Sequence, residues 1–599
     1  MRNPNERGSA LVLVMFVALL LTILGLAVLG ATMGGAQRTE TRENDVQSLH
    51  LAQKGLDEAV AYIQTKLDGR KDIDPDHMED EIKGIVDEVK NKIVVADYGV
   101  STRLSGAGGT IKSIAYEKQI EEKNKYYINL AAEATVNGVK RQLKQKIVID
   151  TYPDFLKYAF GSEAILTLNG APAIHGNIYA GKELHISDTA VYKYKGIVPP
   201  GKKTEYPRVE NDPTSSILTE PLPEVHVQSL GSIKYSGNGV VNTAVNKDNA
   251  SSVLPNILGI TKEQVLIKPQ KKFVQINVQE SFADKVVEAT GLVNSKAEIK
   301  QAIVEGKLGN YLSATALESL PSFNFPYPKP ELEEEPTDEQ KEAYNVAMAD
   351  YEIKEKEYQN NLLKDRNKSA IYNGNGDLLI DGIKYKQLTF SNDAKAGTSS
   401  KPKWLIVNGN LEINNYSSEP RNFLEIQANI LVIGNVTIRG QVKFNSTMFV
   451  LGETIVEDAV IQGLGAQELV LISQGKILIN RIDAFNNPPA KLKQEEFYMK
   501  AFFYTDSTAE LYGVGSIFWL NGGFFAKDNL TVNAVLGEVK EPLVPTLGFD
   551  FDQQDVDRYT LGHRFQIKYN QYVFEHQQSS LPRVKQVNVT VGPLELVSH

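Results

Sequence analysis

The sequence predicts a protein that is mainly β with α. It predicts a long N-terminal transmembrane helix, a small β-hairpin stem, and then a right-handed parallel β-helix (β-solenoid) that an inserted α/β domain interrupts. Three observations support this prediction. The segment between Arg7 and Arg38 has no charged residue, residues 126–150 alternate apolar and polar side chains around an Asn-Gly pair, and short strands centred on glycine recur along the rest of the chain.

Composition excludes several classes of function. The 599 residues carry a formal net charge of -10 and have no long Lys/Arg block, which argues against a nucleic-acid-binding protein. The chain has no cysteine, so disulfide scaffolds, thiolate zinc sites, iron–sulfur clusters and cysteine nucleophiles are excluded. No cofactor and no metal site is predicted.

The apolar N-terminal segment is long enough to cross a membrane. Ser9 to about Gly30 supplies the roughly 20 apolar residues that a spanning helix needs. Arg2 and Arg7 precede it, so the positive-inside rule places the N-terminus in the cytoplasm. The alternative is a secretory signal peptide that is cleaved near Gly34-Gly35-Ala36, but the apolar run exceeds the usual length of such a region.

The same helix is predicted to continue beyond the membrane. Apolar residues recur there at spacings of three and four, and Asp68-Gly69 then ends the helix. These residues are Leu49, Ala52, Leu56, Ala59, Val60, Ile63 and Leu67. A single helix through both parts would be about 90 Å long. Gly30 and Gly34 have the spacing of closely packed membrane helices, although the glycines are equally explained as merely tolerated.

The start of the chain resembles a class III prepilin signal, because Arg7 and Gly8 are followed at once by the apolar segment. With "LAQKGLDEAVAYI" at 51–63, it is similar to the PilX-type N-terminal family of type IV pilus minor pilins. The resemblance implies that a prepilin peptidase cuts between Gly8 and Ser9. It also implies a membrane helix that packs against other pilin subunits, with Leu11, Leu13, Phe16, Leu20, Gly25, Gly30 and Gly34 on it. Major pilins carry Glu where this chain has Leu13, and PilX-type proteins often lack that Glu.

Two local patterns follow the helix. Apolar residues alternate before and after Asn137-Gly138, which predicts two strands joined by a two-residue turn, and the pilin-like proteins have a strand pair of this kind. Asp72, Asp74 and Asp76 mimic the start of a calcium-binding loop. His77 and Lys83 stand where that loop needs Gly and Glu, which favours a solvated acidic turn.

A weak repeat predicts the β-helix. Each unit is a short strand, a turn at glycine and a second short strand, and the period between Gly409 and Gly475 is about 18–25 residues, the length of one solenoid turn. The central glycines are Gly170, Gly181, Gly409, Gly434, Gly452, Gly475 and Gly522. Stacked turns bury an apolar face that one turn cannot bury alone. A flat sandwich is the alternative.

The domain boundaries follow from these patterns. Thr337-Asp338-Glu339-Gln340 is a helix-start signal inside the predicted insertion, and the C-terminal strands are expected to cap the solenoid. The predicted division is a possible leader at 1–8, a transmembrane helix at 9–35, an amphipathic helix and charged linker at 36–98, a pilin-like β stem at 99–155, first β-helix turns at 156–198, an inserted α/β domain at 199–400 with a charged helix at 336–366, further β-helix turns at 401–540 and a C-terminal β cap at 541–599.

Candidate catalytic residues are sparse. Enzymes that act on polysaccharides with this kind of fold use clustered carboxylates on one outer face, and the candidates here are Glu453, Glu457, Asp458 and Asp483, with no repeated acid pairing. His175 and His185 flank one early turn as a conceivable metal pair, but separate surface histidines are the favoured interpretation. The "NGNGD" segment, Asn373–Asp377, echoes a calcium-binding repeat but occurs once, which favours a turn.

The function predicted is that of a non-enzymatic minor pilin or surface adhesin. The protein is expected to cross the membrane once, with its N-terminus in the cytoplasm and its β-helix outside the cell, and to be incorporated in a pilus. Its expected partners are the membrane, a prepilin peptidase and other pilin subunits by resemblance, and a surface polymer or polysaccharide, but no nucleic acid. Two alternatives stand: a membrane-anchored β-helix polysaccharide lyase or hydrolase, and a bactofilin-like structural polymer.

Overall fold

A computed structural model shows two compact units, Met1–Tyr152 with Val584–His599, and Pro153–Arg583. The structure describes part of the residues of each unit. These are 6–68, 78–90, 107–117, 125–150, 154–194, 197–212, 221–267, 276–292, 295–313, 318–319, 327–364, 366–373, 377–382, 385, 387–390, 402–416, 422–480, 497–541, 543–544, 548–552, 562–570, 572–573 and 587–597. This part of the chain is mainly β with α, as predicted.

The first unit joins two helices to a four-stranded antiparallel sheet. Its elements are α1 (Glu6–Asp68), α2 (Met78–Val89), β1 (Ala107–Glu117), β2 (Lys125–Val136), β3 (Val139–Asp150) and the last strand of the chain, β35 (Asn588–Leu596). The sheet order is β1-β2-β3-β35. Asn137 and Gly138 form the β2–β3 turn with φ of 46° and 84°, the conformation that a two-residue hairpin needs, so the predicted hairpin is confirmed.

The sheet is completed by the far end of the chain. The chain leaves the sheet after β3, passes through the second unit, and returns as β35, which pairs with β3 from Asp150↔Asn588 to Leu143↔Leu596. Val589 and Val591 pack against the core of the first unit. The sequence assigns this strand to a cap on the β-helix, whereas the structure places it in the stem sheet.

The described part of the second unit contains five α-helices: α3 (Ala250–Ile257), α4 (Val278–Thr290), α5 (Lys296–Val304), α6 (Leu308–Ser313) and α7 (Asp338–Leu362). Helix α7 begins where the sequence predicts. The Thr337 hydroxyl oxygen accepts a 3.2 Å hydrogen bond from the Gln340 amide. The Gln340 side chain in turn accepts a 2.8 Å bond from the Thr337 amide.

The strands of the second unit are short. The first group is β4 (Phe160–Ser162), β5 (Ile165–Gly170), β6 (Ala173–His175), β7 (Ile178–Ala180), β8 (Glu183–Ser187), β9 (Thr189–Ala190), β10 (Lys202–Lys203), β11 (Arg208–Glu210), β12 (Val225–Val227), β13 (Ile233–Gly237), β14 (Val240–Ala244), β15 (Val265–Ile267), β16 (Glu318–Ser319), β17 (Ala370–Tyr372), β18 (Leu378–Asp381) and β19 (Gln387–Thr389). The second group is β20 (Trp404–Val407), β21 (Leu411–Asn415), β22 (Leu424–Gln427), β23 (Asn429–Val432), β24 (Val436–Val450), β25 (Thr454–Gly463), β26 (Leu469–Ser473), β27 (Ile477–Asn480), β28 (Met499–Thr505), β29 (Ala509–Gly513), β30 (Phe518–Ala526), β31 (Leu530–Ala534), β32 (Glu538–Lys540), β33 (Asp550–Asp552) and β34 (Phe565–Tyr569).

Most of these strands belong to parallel ladders. The first ladder is β16-β17-β20-β23-β24-β26-β28-β30-β4-β7-β12-β15. The second ladder is β18-β21-β24-β25-β27-β29-β31-β5-β8-β13. A third, shorter ladder is β30-β34-β6-β11. All pairings in these three ladders are parallel.

The order along the ladders differs from the order along the chain. In the first ladder β30 pairs with β4, with Phe524 opposite Phe160, so the strands nearest the start of the second unit extend the ladder beyond residue 526. Strands β12 and β13 then pair with β7 and β8. Strand pairing therefore crosses the boundary predicted at 199, and the predicted domain division stays a prediction.

The core of the second unit lies between the ladders. In the second ladder one apolar side chain per strand occupies the same register position, and each of these side chains is at most 3% exposed. The column runs through Ile413, Ile438, Val456, Ile479, Leu511, Val532, Leu168 and Ile186. Full burial of one such side chain is worth about 1.5–3 kcal/mol, so the column is a main source of stability.

The glycines of the sequence repeat form a stack, defined as Gly409, Gly434, Gly452 and Gly475. Each amide from Gly434 onward donates to the carbonyl oxygen of the preceding glycine, over 2.9, 3.1 and 3.0 Å. A Cβ atom on Gly434, Gly452 or Gly475 would lie 2.6, 2.5 or 2.4 Å from that oxygen. The close approach of neighbouring rungs therefore explains why glycine recurs at the centre of the repeat.

Candidate functional site

The second half of α1 is the base on which the first unit is built. The apolar stripe that the spacing predicts packs against the sheet and α2. All of its residues are buried except Leu49, which is partly buried. The β2–β3 turn is tied to the helix by polar contacts, because Asn137 donates a 3.1 Å hydrogen bond to Asn44 and Arg141 is paired with Asp45. The predicted continuation of the helix to Leu67 is confirmed.

The first half of α1 has the opposite character. From Ser9 to Met33 every side chain is exposed, and this stretch has no charge. Length and composition make α1 the one helix, in the part of the chain that the structure describes, able to cross a membrane. Water disfavours such a large continuous apolar surface, which fits a helix that is surrounded by lipid or by other helices.

The predicted site residues lie on this exposed half. Leu11, Leu13, Phe16 and Leu20 are 50–65% exposed. A Cβ atom on Gly25, Gly30 or Gly34 would meet no other atom within 4 Å, so within one chain nothing packs against these glycines. Gly8 and Ser9 are in the first turns of the helix, and cleavage between them stays a prediction.

One of the four candidate carboxylates, Glu457, is held in an ion-pair network. Arg439 on β24 is paired with Glu457 on β25 and lies 2.9 Å from Glu412 on β21. The hydrogen bond that Arg439 donates to Glu457 raises the pKa of Arg439, and this outweighs the opposing effect of burial. The network links three strands of the second ladder on its outer face, so the structure gives Glu457 a structural partner.

Of the other candidate carboxylates, Glu453 and Asp458 belong to the part of the chain that the structure describes. Glu453 is an exposed turn residue whose amide donates a 2.8 Å hydrogen bond to the Asn435 side chain. Asp458 is exposed and has a φ of 46° at a break in the β24–β25 register. Asp483 lies outside the described residues.

The two candidate histidines have separate environments. His185 is part-exposed, with Nε2 2.7 Å from Glu183, whose other oxygen accepts a 2.5 Å bond from Lys234. Lys234 first and then His185 lower the pKa of Glu183. His175 is on β6 and only 6% exposed, which corrects its interpretation as a surface histidine. Among the described residues, no three His, Asp or Glu side chains are placed to hold a metal ion.

A partly buried cluster of ionisable groups surrounds His175, and the sequence analysis did not predict it. In the third ladder His175 is in register with Lys568 and with Glu210. The Lys568 amine lies 3.2 Å from Asp212 and 4.5 Å from the centre of the Tyr498 ring. Burial lowers the pKa of His175 to about 4 and raises the pKa of Glu210. The cluster joins three distant segments, so no local motif announces it.

The calcium-like motifs give no cation site in the described part of the chain. The ends of the "NGNGD" segment bind asparagines of the next rung: Asn408 donates to Asn373 over 3.0 Å, and Asn410 donates to Asp377 over 2.9 Å. These bonds suit the predicted turn. Residues 374–376 and the acidic segment with Asp72, Asp74 and Asp76 lie outside the described residues.

Comparisons with known proteins assign the chain to no family. No protein family and no curated protein matches the chain. Among solved structures, the chain is similar to the crystal structure of the competence-associated pilin ComZ from Thermus thermophilus, with 10% identity, a TM-score of 0.27, and coverage of 92% of this chain and 98% of that chain. A similarity this low carries no conclusion about fold or function, so the function of the chain has to be inferred from its own residues.

Proposed function

We propose that the chain is a membrane-anchored, pilus-associated surface protein, a minor pilin or adhesin, that binds rather than catalyses. The observation that carries this proposal is the division of α1. Its first half is apolar and exposed, and its second half forms the base of an antiparallel sheet. A helix of this kind anchors the protein and offers a face for packing with other subunits.

We further propose that the second unit is a right-handed parallel β-helix displayed outside the cell. The parallel ladders, the shared column of apolar side chains and the glycine stack support this architecture. Such a body is stiff and presents long outer faces, which suits binding of a surface polymer such as a polysaccharide. Arg2 and Arg7, ahead of the apolar segment, favour a cytoplasmic N-terminus.

The partners in this proposal are a prepilin peptidase, which cuts between Gly8 and Ser9, and other pilin subunits. Mass spectrometry of the protein purified from membranes of a strain that has the peptidase tests the first partner. A mature N-terminus at Ser9 is expected, and Gly8→Leu should block the cut. Gly30→Leu is the matched control, because it changes a glycine of the same helix away from the cut. An intact N-terminus, or one at Gln37, would contradict the proposal.

Assembly with other pilin subunits is a separate test. Antibodies against the second unit should label pili sheared from the cell surface, and a strain without the protein should lose piliation or adhesion. If the protein stays in the membrane fraction and pili and adhesion are unchanged in its absence, it is an anchored surface protein that works independently of pili.

The enzymatic alternative rests on Glu457, Glu453, Asp458 and Asp483. The ion pair between Glu457 and Arg439 supports a structural role for the first of these. Incubation of the purified chain with acidic and neutral polysaccharides should release no new reducing ends and no unsaturated products. Release of either, abolished by Glu457→Gln, would favour the enzyme.

A further inference from the structure

Helix α7 and the segment before it concentrate the negative charge of the protein. Residues 327–362 contain eleven Asp or Glu and four Lys, a net charge of -7, against -10 for all 599 residues. The remaining 563 residues are therefore close to neutral overall. Charge in such a concentrated form attracts positively charged partners and repels acidic ones over about one Debye length.

One side of α7 is less exposed to solvent than the rest of the helix. Its half-buried residues recur at spacings of three and four, as on one side of a helix. They are Tyr344, Met348, Tyr351, Glu355 and Tyr358. The opposite side is the more exposed one, and it is therefore the side of α7 that is accessible to a partner.

The opposite side of α7 is an open face with an apolar centre and acidic residues beside it. Glu339, Glu342, Ala343, Val346, Ala347 and Asp350 lie together on this face. Val346 is 67% exposed and Ile353 is 58% exposed. With Ala349 between them, these residues have the three-and-four spacing of a helix-pairing seam.

We propose that this open face of α7 binds a basic amphipathic helix of a partner protein. The apolar seam would receive apolar side chains of the partner, and Lys or Arg beside them would meet Glu339 and Glu342. Helix α7 spans about 37 Å, long enough for a pairing of three heptads. This is pairing of two helices, in which the apolar faces supply affinity and the flanking charges supply orientation.

Charge argues against the other occupants. In an antiparallel pair of two α7 helices centred on Val346, Glu342 of each copy would face Asp350 of the other. A second copy would also bring a second net charge of -7 against the first, whereas a basic helix neutralises that charge, which favours the basic partner over a second copy of this chain. An anionic membrane surface would be repelled for the same reason.

The test measures binding of a fluorescent probe to the full-length protein in detergent. The probe is a synthetic helix of about four Lys-Ile-Ala-Ala-Leu-Lys-Lys heptads, and its acidic counterpart has Glu in place of Lys. The basic probe should bind the wild-type protein and the acidic one should not. Absence of binding by the basic probe, or equal binding by both, overturns the proposal.

Two variants separate the apolar seam from the charge. Val346→Asp adds a negative charge to the face. If charge attraction alone held the basic probe, this variant would bind it more tightly. If apolar side chains of the probe pack against Val346, the variant should bind it at least tenfold more weakly. Glu339→Lys with Glu342→Lys should also weaken binding at least tenfold. Glu352→Gln is the matched control, because Glu352 is exposed on α7 but outside the open face.

The outcomes are distinct. If Val346→Asp binds the basic probe as tightly as the wild type or more tightly, the attraction is non-specific and the proposal is overturned. It is also overturned if Glu352→Gln loses as much affinity for the probe as the variants of the open face. Circular dichroism checks that each variant keeps its helix content. If sedimentation shows that the wild-type protein dimerises and Val346→Asp does not, the occupant is a second copy, and the proposed basic partner is wrong.

Discussion

The Gly452 amide donates a 3.1 Å hydrogen bond to the carbonyl oxygen of Gly434, and a Cβ atom on residue 452 would lie 2.5 Å from that oxygen. The backbone itself is the obstacle, so a larger residue can be accepted only if the two rungs separate. We expect Gly452→Ala to lower the free energy of unfolding by about 1–3 kcal/mol. Urea unfolding followed by tryptophan fluorescence measures this, because Trp404 and Trp519 are both buried in the second unit.

Gly231→Ala provides the control for that measurement. A Cβ atom there would have as its nearest neighbour the Ser229 hydroxyl oxygen at 3.8 Å, an ordinary contact. We expect its urea midpoint to stay close to that of the wild type. Equal midpoints for Gly452→Ala and Gly231→Ala would show that the glycine stack is not needed for stability.

The ion-pair network of Arg439 should contribute modestly to stability. Arg439→Met removes the contacts with Glu412 and Glu457 but keeps a similar apolar stem. Because the Arg439 side chain is 30% exposed, we expect a loss of about 1 kcal/mol that shrinks in high salt.

The comparison for this prediction is Lys443→Met. Lys443 is similarly exposed but lies 4.0 Å from its partner Glu425, so its removal should change the urea midpoint less. Combining Arg439→Met with Glu457→Gln should give less than the sum of the single losses. Additive losses would mean that the pair is not coupled.

Local sequence patterns predicted the local structure well. The apolar stripe ending at Leu67 predicted the buried face of α1, and the Asn137-Gly138 pair predicted the hairpin. Thr337 predicted the start of α7. Each depends on residues close together in the chain, where spacing alone determines which side chains share a face. The glycine repeat likewise predicted where neighbouring rungs approach each other.

Pairing between distant segments was not predictable in the same way. Val589 and Val591 pack in the stem although more than 400 residues separate them from β3, and Phe160 pairs with Phe524. A strand pattern shows which face is apolar but does not show which strand lies beside it. For the same reason the ionisable groups around His175 were missed as a cluster.

Acid should destabilise the second unit through His175. Burial lowers the pKa of His175 to about 4, whereas in the unfolded chain it is near 6.5. Between these values the unfolded state binds a proton that the folded state does not, so stability falls as the pH drops from 6.5 to 4 and the effect levels off below. The difference corresponds to about 3 kcal/mol at most.

Urea midpoints measured at pH 8, 6 and 4.5 test this prediction. His175→Gln should have a shallower fall in midpoint from pH 6 to 4.5 than the wild type, because the variant has no proton to bind at this position. The comparison at pH 8, where the imidazole is neutral in both states, isolates the effect of the substitution on packing. Parallel midpoint curves for the two proteins would rule out His175 as a source of the acid sensitivity.

The last strand should be needed for a stable stem. Removing residues 588–599 deletes β35, which leaves the β3 edge unpaired from Leu143 to Asp150 and takes Val589 and Val591 from the core. We expect trypsin to cut within β3 at Lys144 or Lys146 many times faster than in the full chain, while fluorescence of the two tryptophans in the second unit stays unchanged. Removal of residues 598–599 alone, beyond the end of β35, should leave the cutting rate as it is. Equal rates in all three proteins would mean that β1, β2, β3 and the helices form a stable stem without β35.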